Sequence, residues 1–437
     1  MRIAVCVFGQ PRFYEQTVES FRKEFYDFPG HDVDVFMHCW SVVGSTPDDD
    51  WDSCNKKNDT QSLKDDLWNK YNNKKNGGYL SMVVEDPEET FGPICDSLAH
   101  VLQTVRHDKW LDDTQEDWRK HLSKIPINTA YKDSDKTMIR IDNGRVLRYE
   151  MGQLYSMGKA IELKSWYEKE EDFKYDVVIK VRTDAVFIPK EIYDTEEEYY
   201  KEKEDYYLQG VRNNKRGVFG FGLNLIMGLG NGRRMAGGNP DTGTIVGMNA
   251  IEIENGKITK IEPHEKQFPY VDLFKDVVLD DVGAFNFPFK IHHKDWLMFS
   301  DSESADMAWS TMLSTYISFL ARDISRFMGK KQLPYMPGGE VLHAGSALFN
   351  DVNMYYVEAP QNENCFLRLF KHKRVFKIVH PDPKKRKGPF ESEDLKTQMA
   401  NGYIPVDTPN NMVKTLLKIH NYSDAEYIRP ENPEAWT

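Results

Sequence analysis

Apolar runs and turns alternate along the first forty residues in a pattern that predicts strand, helix and strand. Residues 3–8 form a continuous apolar run of strand length, which is typical of a strand buried on both faces. Apolar residues recur at helical spacing between residues 13 and 25, and residues 34–38 are predicted to form a second strand around the apolar residues 35–37. Because strand, helix and strand in this order favour a right-handed crossover, the sequence predicts an α/β fold with a mostly parallel sheet.

A helix that leads into a strand is the clearest unit of the chain. Residues 154–167 carry an apolar stripe at helical spacing, and residues 175–184 form an apolar strand that ends in Arg182-Thr183-Asp184. In open α/β sheets, ligands bind outside the carboxyl ends of the strands. The pattern therefore predicts a functional site where this strand ends.

The chain is long for a single core. Its 437 residues exceed the ~250–300 residues at which single hydrophobic cores stop growing. We interpret residues 1–190 as one half of a large α/β domain, in which the polar stretch at about 43–78 is an insertion outside the core. Residues 191–380 form the other half of that domain, and residues 381–437 are interpreted as a polar C-terminal arm.

Composition narrows the classes of function. A net charge of −12 argues against nucleic acid as a partner but allows a local basic pocket for a diphosphate. The five cysteines are scattered without metal-ligand spacing, and their odd number favours a reducing compartment. The sequence contains neither a signal-peptide pattern nor an apolar run long enough for a membrane span. These features predict a cytoplasmic protein.

Arg182 and Asp184 are the first candidates for chemistry. On a strand of period two, both side chains point to the same face and leave the end of the sheet together. A carboxylate such as Asp184 suits Mg²⁺ or Mn²⁺, which would neutralise a nucleotide diphosphate. Arg182 either holds Asp184 or binds phosphate with its planar guanidinium group. The alternative is a structural ion pair at a strand end.

A turn that could cradle a nucleotide follows the first strand. Glycine permits close backbone approach, and the turn adds a polar amide and a cation. The turn consists of Gly9, Gln10, Pro11 and Arg12. An ordinary connection between strand and helix is the alternative.

Aromatic and helical residues give further candidates around this turn. Trp40 lies at the end of the second predicted strand and could stack on a base or a sugar ring; a packed core aromatic is the alternative. His38 has no metal partner in the sequence pattern, so a buried histidine with satisfied hydrogen bonds is expected. Gln153, Ser156 and Lys159 share one helix face that could reach a donor or could be solvated.

Together these motifs resemble a family of GT-A-like glycosyltransferases from bacteria and large viruses, of the WavE-like lipopolysaccharide-synthesis type. The family shows "GQ-x-R" after its first strand, then "DVFhHxW", then a helix that leads into "YDxVhxxRxD". This sequence has GQPR at 9–12, DVFMHCW at 34–40 and YDVVIKVRTD at 175–184. The match covers roughly the first 190 residues, with a weaker similarity near residues 291–345.

The resemblance implies a GT-A-like (Rossmann-like) fold that binds a nucleotide sugar over the strand ends and transfers the sugar to a glycan or glycoconjugate acceptor. Residues 1–190 would bind the donor and residues 191–380 the acceptor, in the host cytoplasm if the chain is viral. Asp184 would be the counterpart of the DxD carboxylate that binds Mn²⁺ or Mg²⁺. Arg182 replaces the first acid of that motif, which puts metal dependence in doubt.

The same resemblance supplies acceptor-side candidates. Residues 292–301 resemble the family's "D-x-hhhhS" segment, so Asp295 and Asp301 are candidates for a catalytic base or an acceptor contact. Asp301 could instead cap a helix. Residues 339–343 resemble a "PE-x-hh" segment, so Glu340 is a further acceptor-side candidate and His343 a metal candidate, with an ordinary helix start as the alternative.

Two other functions fit the same sequence. A nucleotidyltransferase that activates a sugar phosphate would carry a Gly-rich N-terminal loop with a lysine, and the turn at residues 9–12 lacks it. A non-catalytic carbohydrate-binding or virion surface protein on the same fold is compatible with an acidic, aromatic-rich chain.

Overall fold

The computed structural model shows a mixed α/β protein. It describes residues 1–11, 14–44, 55–73, 77–90, 145–183, 185–187, 195–220, 222–227, 244–264, 289–293, 297–316, 339–357, 366–368, 378–379 and 404–405. The helices are α1 (Tyr14–Phe25), α2 (Thr60–Tyr71), α3 (Pro87–Thr90), α4 (Arg145–Glu170), α5 (Glu196–Tyr207), α6 (Gln209–Arg212), α7 (Ser302–Trp309) and α8 (Gly339–Phe349).

The strands range from two to eleven residues in length. They are β1 (Arg2–Gly9), β2 (Asp32–Trp40), β3 (Val42–Gly44), β4 (Asn55–Lys57), β5 (Leu80–Glu85), β6 (Val177–Arg182), β7 (Ala185–Phe187), β8 (Val218–Gly220), β9 (Asn224–Met227), β10 (Thr244–Glu254), β11 (Lys257–Pro263), β12 (Phe289–His292), β13 (Leu297–Ser300), β14 (Met354–Tyr356), β15 (Phe366–Arg368), β16 (Ile378–Val379) and β17 (Ile404–Pro405).

One half of the central sheet is parallel. Its strands lie in the order β5-β2-β1-β6, and each neighbouring pair is parallel. Helix α1 connects β1 to β2, α2 lies between β2 and β5, and α4 leads into β6. The strand, helix and strand predicted at the N-terminus are confirmed.

The other half of the sheet is mixed. Strand β13 lies between β6 and β8 and is antiparallel to both. Beyond β8 come β14, β10, β9 and β12, and among these only the β8–β14 pair is parallel. The expectation of a mostly parallel sheet is therefore correct for the β5-β2-β1-β6 half and wrong for the rest.

Helices cover both faces of the sheet. On β1, Ala4, Cys6 and Phe8 face a core that α4, α7 and α8 complete, while Ile3, Val5 and Val7 face a second core against α1, α2 and α5. A strand covered on both sides needs apolar residues at every position, which explains the unbroken run at residues 3–8.

The polar stretch at about 43–78 is part of this architecture. Helix α2 buries Leu63, Leu67 and Tyr71, which contact the same core as α1. The interpretation of this stretch as an insertion outside the core is wrong for residues 60–71, because three apolar positions at spacing four suffice to pack a helix in an otherwise polar segment.

A buried ionic network joins α4 to α7. Glu168 is 2% exposed and lies 3.0 Å from the Nζ of Lys164 and 2.8 Å from that of Lys174. Lys164 also lies 2.6 Å from Asp306 of α7. In addition, Glu168 accepts hydrogen bonds from the Ser302 hydroxyl and the Tyr175 amide. The network fixes the two helices that support one face of β6.

None of the helices that the structure describes is both long enough and apolar enough to cross a membrane.

Candidate functional site

Four parallel strands end at one edge of the sheet, which we call the carboxyl edge. Gly9 ends β1, Trp40 ends β2, Glu85 ends β5 and Arg182 ends β6. The register pairs Phe8 with Arg182, Gly9 with Cys39, and Trp40 with Glu85, so these residues lie side by side along the edge. Open α/β sheets bind ligands outside the carboxyl ends of their strands, so this edge is the candidate site.

The antiparallel strand β13 begins at the same edge. Leu297 pairs with Val181, one residue before the end of β6. Strand β8 also ends here, because its last residue, Gly220, pairs with Met298. The carboxyl edge therefore combines the ends of the parallel strands with the start of β13.

A tightly held turn follows β1. Gly9 has a φ of +98°, which L side chains rarely adopt. Its amide donates a 2.6 Å hydrogen bond to the hydroxyl oxygen of Ser156 on α4. The Thr183 hydroxyl donates to the carbonyl oxygen of Gln10 at 3.1 Å, and Pro11 is buried. The turn is thus fixed from α4 on one side and from the end of β6 on the other; Arg12 lies outside the described residues.

The His38 side chain is buried beneath this turn. Its Nδ1 lies 2.8 Å from the Ser156 Oγ, and its Nε2 lies 3.1 Å from a carboxylate oxygen of Glu85. Burial lowers the pKa of His38, although the Glu85 carboxylate opposes this shift. The hydrogen bond from His38 lowers the pKa of Glu85. His38 is therefore a satisfied, buried, neutral imidazole, as expected from the sequence.

Trp40 is a packed aromatic. It is 6% exposed, and its Nε1 donates a 3.2 Å hydrogen bond to the carbonyl oxygen of Gly152. Its ring stacks on Tyr155 with a centroid distance of 5.5 Å and an interplanar angle of 23°. Both the polar atom and the ring are engaged inside the protein, so the expected stacking of Trp40 on a base or sugar is not retained.

Lys159 lies on α4 one turn after Tyr155. Its Nζ is 2.7 Å from Glu162 and 5.5 Å from the ring centroid of Tyr155. Its side chain is 37% exposed.

Arg182 is partly buried at the end of β6 and points to the face that α4 covers, because it alternates with Lys180 and Val178. Asp184 lies outside the described residues. The predicted pairing of Arg182 with Asp184 stays a prediction.

The side chain below Arg182 is a buried lysine. Lys180 is 0% exposed, and its Nζ lies 2.7 Å from Nε2 of His343 on α8. The rings of Phe8 and Trp309 lie 5.7 and 5.5 Å from the same ammonium group. Burial lowers the pKa of His343 well below its ordinary value, and the charge of Lys180 lowers it further. His343 is therefore a neutral hydrogen-bond partner of Lys180.

This pairing bears on the predicted metal site. A ring nitrogen of His343 that accepts from an ammonium group is not available to a cation. Within the part of the chain that the structure describes, no three His, Cys, Asp or Glu side chains lie close enough together to hold a metal ion.

Of the two aspartates near β13, the described one lies at the opposite edge of the sheet. Asp301 follows the last residue of β13, and its carboxylate accepts from the amides of Ser304 at 2.9 Å and Gly217 at 3.0 Å. It is the N-cap of α7. We assign Asp301 to capping and do not retain it as an acceptor-side candidate. Asp295 and the side chain of Glu340 lie outside the described residues.

Comparison with known proteins leaves the family open. No protein-family model and no curated protein matches this chain. Among solved structures, it is similar to mouse xyloside xylosyltransferase 1 in its apo form, with 7% identical residues, a TM-score of 0.27, and coverage of 82% of this chain and 84% of that chain. A score this low supports no inference about activity.

Two residues of the carboxyl edge were not singled out from the sequence. Glu85 ends β5, and Tyr155 precedes Ser156 on α4. Residues 79–85 read as a largely apolar strand in the sequence, and the rule that ligands bind at strand ends identifies its last residue, Glu85. Tyr155 has no comparable signal, because its importance comes from contacts with Trp40 on a distant strand.

Proposed function

We propose that this chain is a glycosyltransferase that moves a sugar from a nucleotide-diphosphate donor to a glycan or glycoconjugate acceptor. The observation that supports it is the shared carboxyl edge, where the Gly9 turn, the end of β6 at Arg182 and the start of β13 lie side by side. The resemblance of these same segments to GT-A-like glycosyltransferases supplies the reaction class.

The donor would lie across the ends of β1 and β6. The turn at residues 9–12 would hold the nucleotide, and the guanidinium group of Arg182 would bind oxygens of the diphosphate. Negative charge builds on the diphosphate as the bond from the anomeric carbon to the phosphate oxygen breaks, so a fixed cation there stabilises the transition state. Lys159 would add a second cation.

The acceptor would approach from the start of β13. Asp295 precedes Leu297 by two residues in the sequence, and we assign it the role of base. Its carboxylate would take the proton of the acceptor hydroxyl while that oxygen forms the new bond to the anomeric carbon. The nucleoside diphosphate leaves as the second product. Glu340 would contact the acceptor.

The divalent cation implied by the resemblance stays a proposal for Asp184 alone. The side chains that the structure describes do not form a set of metal ligands. Arg182 stands in place of an acid, and His343 accepts a hydrogen bond from Lys180. We therefore derive no step through a metal ion.

The test is turnover. The chain is incubated with a panel of nucleotide sugars and glycans, and release of nucleoside diphosphate is followed by mass spectrometry. We expect one donor to be consumed, and Asp184→Ala to lower kcat/KM by about 100-fold, as for loss of one electrostatic contact in an active site. Turnover by Asp184→Ala at the wild-type rate would contradict the role of Asp184. Glycan binding without any turnover would favour the carbohydrate-binding alternative.

A further inference from the structure

A buried hydrogen-bonded chain runs along the carboxyl edge to the Gly9 turn. It starts at Glu85, which is 27% exposed at its side chain, and continues through His38 to Ser156, both 0% exposed. It ends at the amide of Gly9. The chain joins β5, β2, α4 and β1.

Proton positions along the chain follow from its chemistry. A neutral imidazole carries one N–H, and the carboxylate of Glu85 can only accept, so Nε2 of His38 donates and Nδ1 accepts. The Ser156 hydroxyl donates to the carbonyl oxygen of His38 at 2.8 Å, and its oxygen lies at the same distance from Nδ1 of His38. Its oxygen remains free to accept from Gly9.

The Gly9 amide has to be fixed because of its backbone geometry. Glycine adopts a φ of +98° about as readily as a negative φ, so other contacts decide which conformation it keeps. The bond to Ser156 holds this φ at the point where the chain leaves β1. The groups that face His38 electrostatically are Glu85 on β5, and Lys159 and Glu162 on α4.

From this geometry we propose that His38 is a positioning residue, which acts through Ser156 to fix the Gly9 turn against which the donor diphosphate binds. The inference rests on the proposed function for the identity of the ligand. Glu85 sets the tautomer of His38. His38 holds the side chain of Ser156, which accepts the hydrogen bond from the Gly9 amide. His38 itself touches no substrate.

Four variants test this role. Ser156→Ala removes the acceptor of Gly9, and His38→Leu removes the imidazole that contacts Ser156 while the backbone carbonyl of residue 38 stays in place. His38→Asn keeps a hydrogen-bonding group near the position of Nδ1. The matched control is Ser300→Ala, because Ser300 is also a buried serine that bonds to a glycine, donating to the Gly217 carbonyl at 2.8 Å at the opposite edge.

The first readout is hydrogen exchange of the Gly9 amide without ligand. We expect exchange at least about tenfold faster in Ser156→Ala and His38→Leu, because a lost hydrogen bond of roughly 1.4 kcal/mol corresponds to that factor. His38→Asn and Ser300→Ala should exchange at the wild-type rate. Unchanged exchange of Gly9 in either Ser156→Ala or His38→Leu would overturn the proposal.

The second readout separates positioning from stability. With a turned-over donor, KM should rise about tenfold in Ser156→Ala and His38→Leu with kcat within about twofold, and His38→Asn should restore KM. Equal losses in Ser156→Ala and Ser300→Ala would indicate a merely structural role and overturn the proposal. If the wild-type chain turns over no nucleotide sugar, the proposed function fails, and exchange at Gly9 still decides whether His38 fixes the turn.

Discussion

At the scale of single residues, buried polar groups occur at both edges of the sheet. At the carboxyl edge, Ser156 and His38 hold the backbone of the Gly9 turn. At the opposite edge, the carboxylate of Asp301 holds the start of α7 and the amide of Gly217. The hydrogen bonds at the two edges are chemically similar. Their position along the strands places Ser156 and His38 at the candidate site, whereas Asp301 only stabilises the fold.

Replacing Asp301 should therefore affect stability without affecting turnover. We expect Asp301→Ala to lower the free energy of unfolding by about 1–2 kcal/mol, as for loss of a helix N-cap. Chemical denaturation gives the stability, and kcat/KM for the donor should stay at the wild-type value. A loss of turnover with unchanged stability would return Asp301 to the catalytic candidates.

At the scale of elements, the ionic network between α4 and α7 makes a prediction about pH. Burial raises the pKa of Glu168, but hydrogen bonds from Lys174, Ser302 and the Tyr175 amide outweigh it and lower the pKa below its ordinary value of 4.5. A carboxylate whose pKa is lowered by folding stabilises the protein above its unfolded pKa, and this contribution is lost as the pH falls through its folded pKa.

Removing the charge of Glu168 should destabilise the protein at neutral pH. It should also make the free energy of unfolding depend less steeply on pH under acidic conditions. We expect Glu168→Gln to cost about 3 kcal/mol at pH 7, because it removes one of the two carboxylates that pair with the buried Lys164. Below about pH 4.5 its stability should fall less steeply than that of the wild type. Glu162→Gln on the same helix is the control, since its side chain is 60% exposed and an exposed pair contributes less than about 1 kcal/mol. Parallel pH profiles for wild type and Glu168→Gln would contradict this assignment.

Helix α2 provides a second prediction at this scale. Leu67 is 0% exposed, so Leu67→Ala should lower the free energy of unfolding by about 2–5 kcal/mol through lost burial and a residual cavity. Asp65→Ala, at an exposed position of the same helix, should change it by no more than about 0.5 kcal/mol. Equal, small effects in denaturant titrations would mean that α2 is dispensable for the core.

At the scale of the whole molecule, sequence patterns predict the parallel half of the sheet and not the other half. Largely apolar runs identify β1, β2 and β6, because strands covered on both faces need them, although Lys180 interrupts the run in β6. Strand β13 has only four residues, and a short run carries no information about its direction. The antiparallel insertion of β13 between β6 and β8 is therefore visible only in three dimensions.

The candidate site divides in the same way. The turn at Gly9 and the charge at Arg182 were predictable, since both follow apolar strands. The bond between Gly9 and Ser156 joins residues 147 positions apart, and no local pattern encodes it. Trp40 shows the converse: a residue type suited to ligand stacking is engaged by Gly152 and Tyr155 instead.

The most direct test of the central proposal is equilibrium binding of nucleotide sugars to three proteins: wild type, Arg182→Ala and Arg216→Ala. Arg216 is the matched control, because it pairs with Glu303 at the opposite edge and its side chain is 78% exposed. We predict that one nucleotide sugar raises the Tm of wild type and Arg216→Ala alike, and that Arg182→Ala binds it at least about tenfold more weakly, since a charged hydrogen bond contributes roughly 1.5–3 kcal/mol. Wild-type affinity in Arg182→Ala, or no binding of any nucleotide sugar to the wild type, would contradict a donor site at the carboxyl edge.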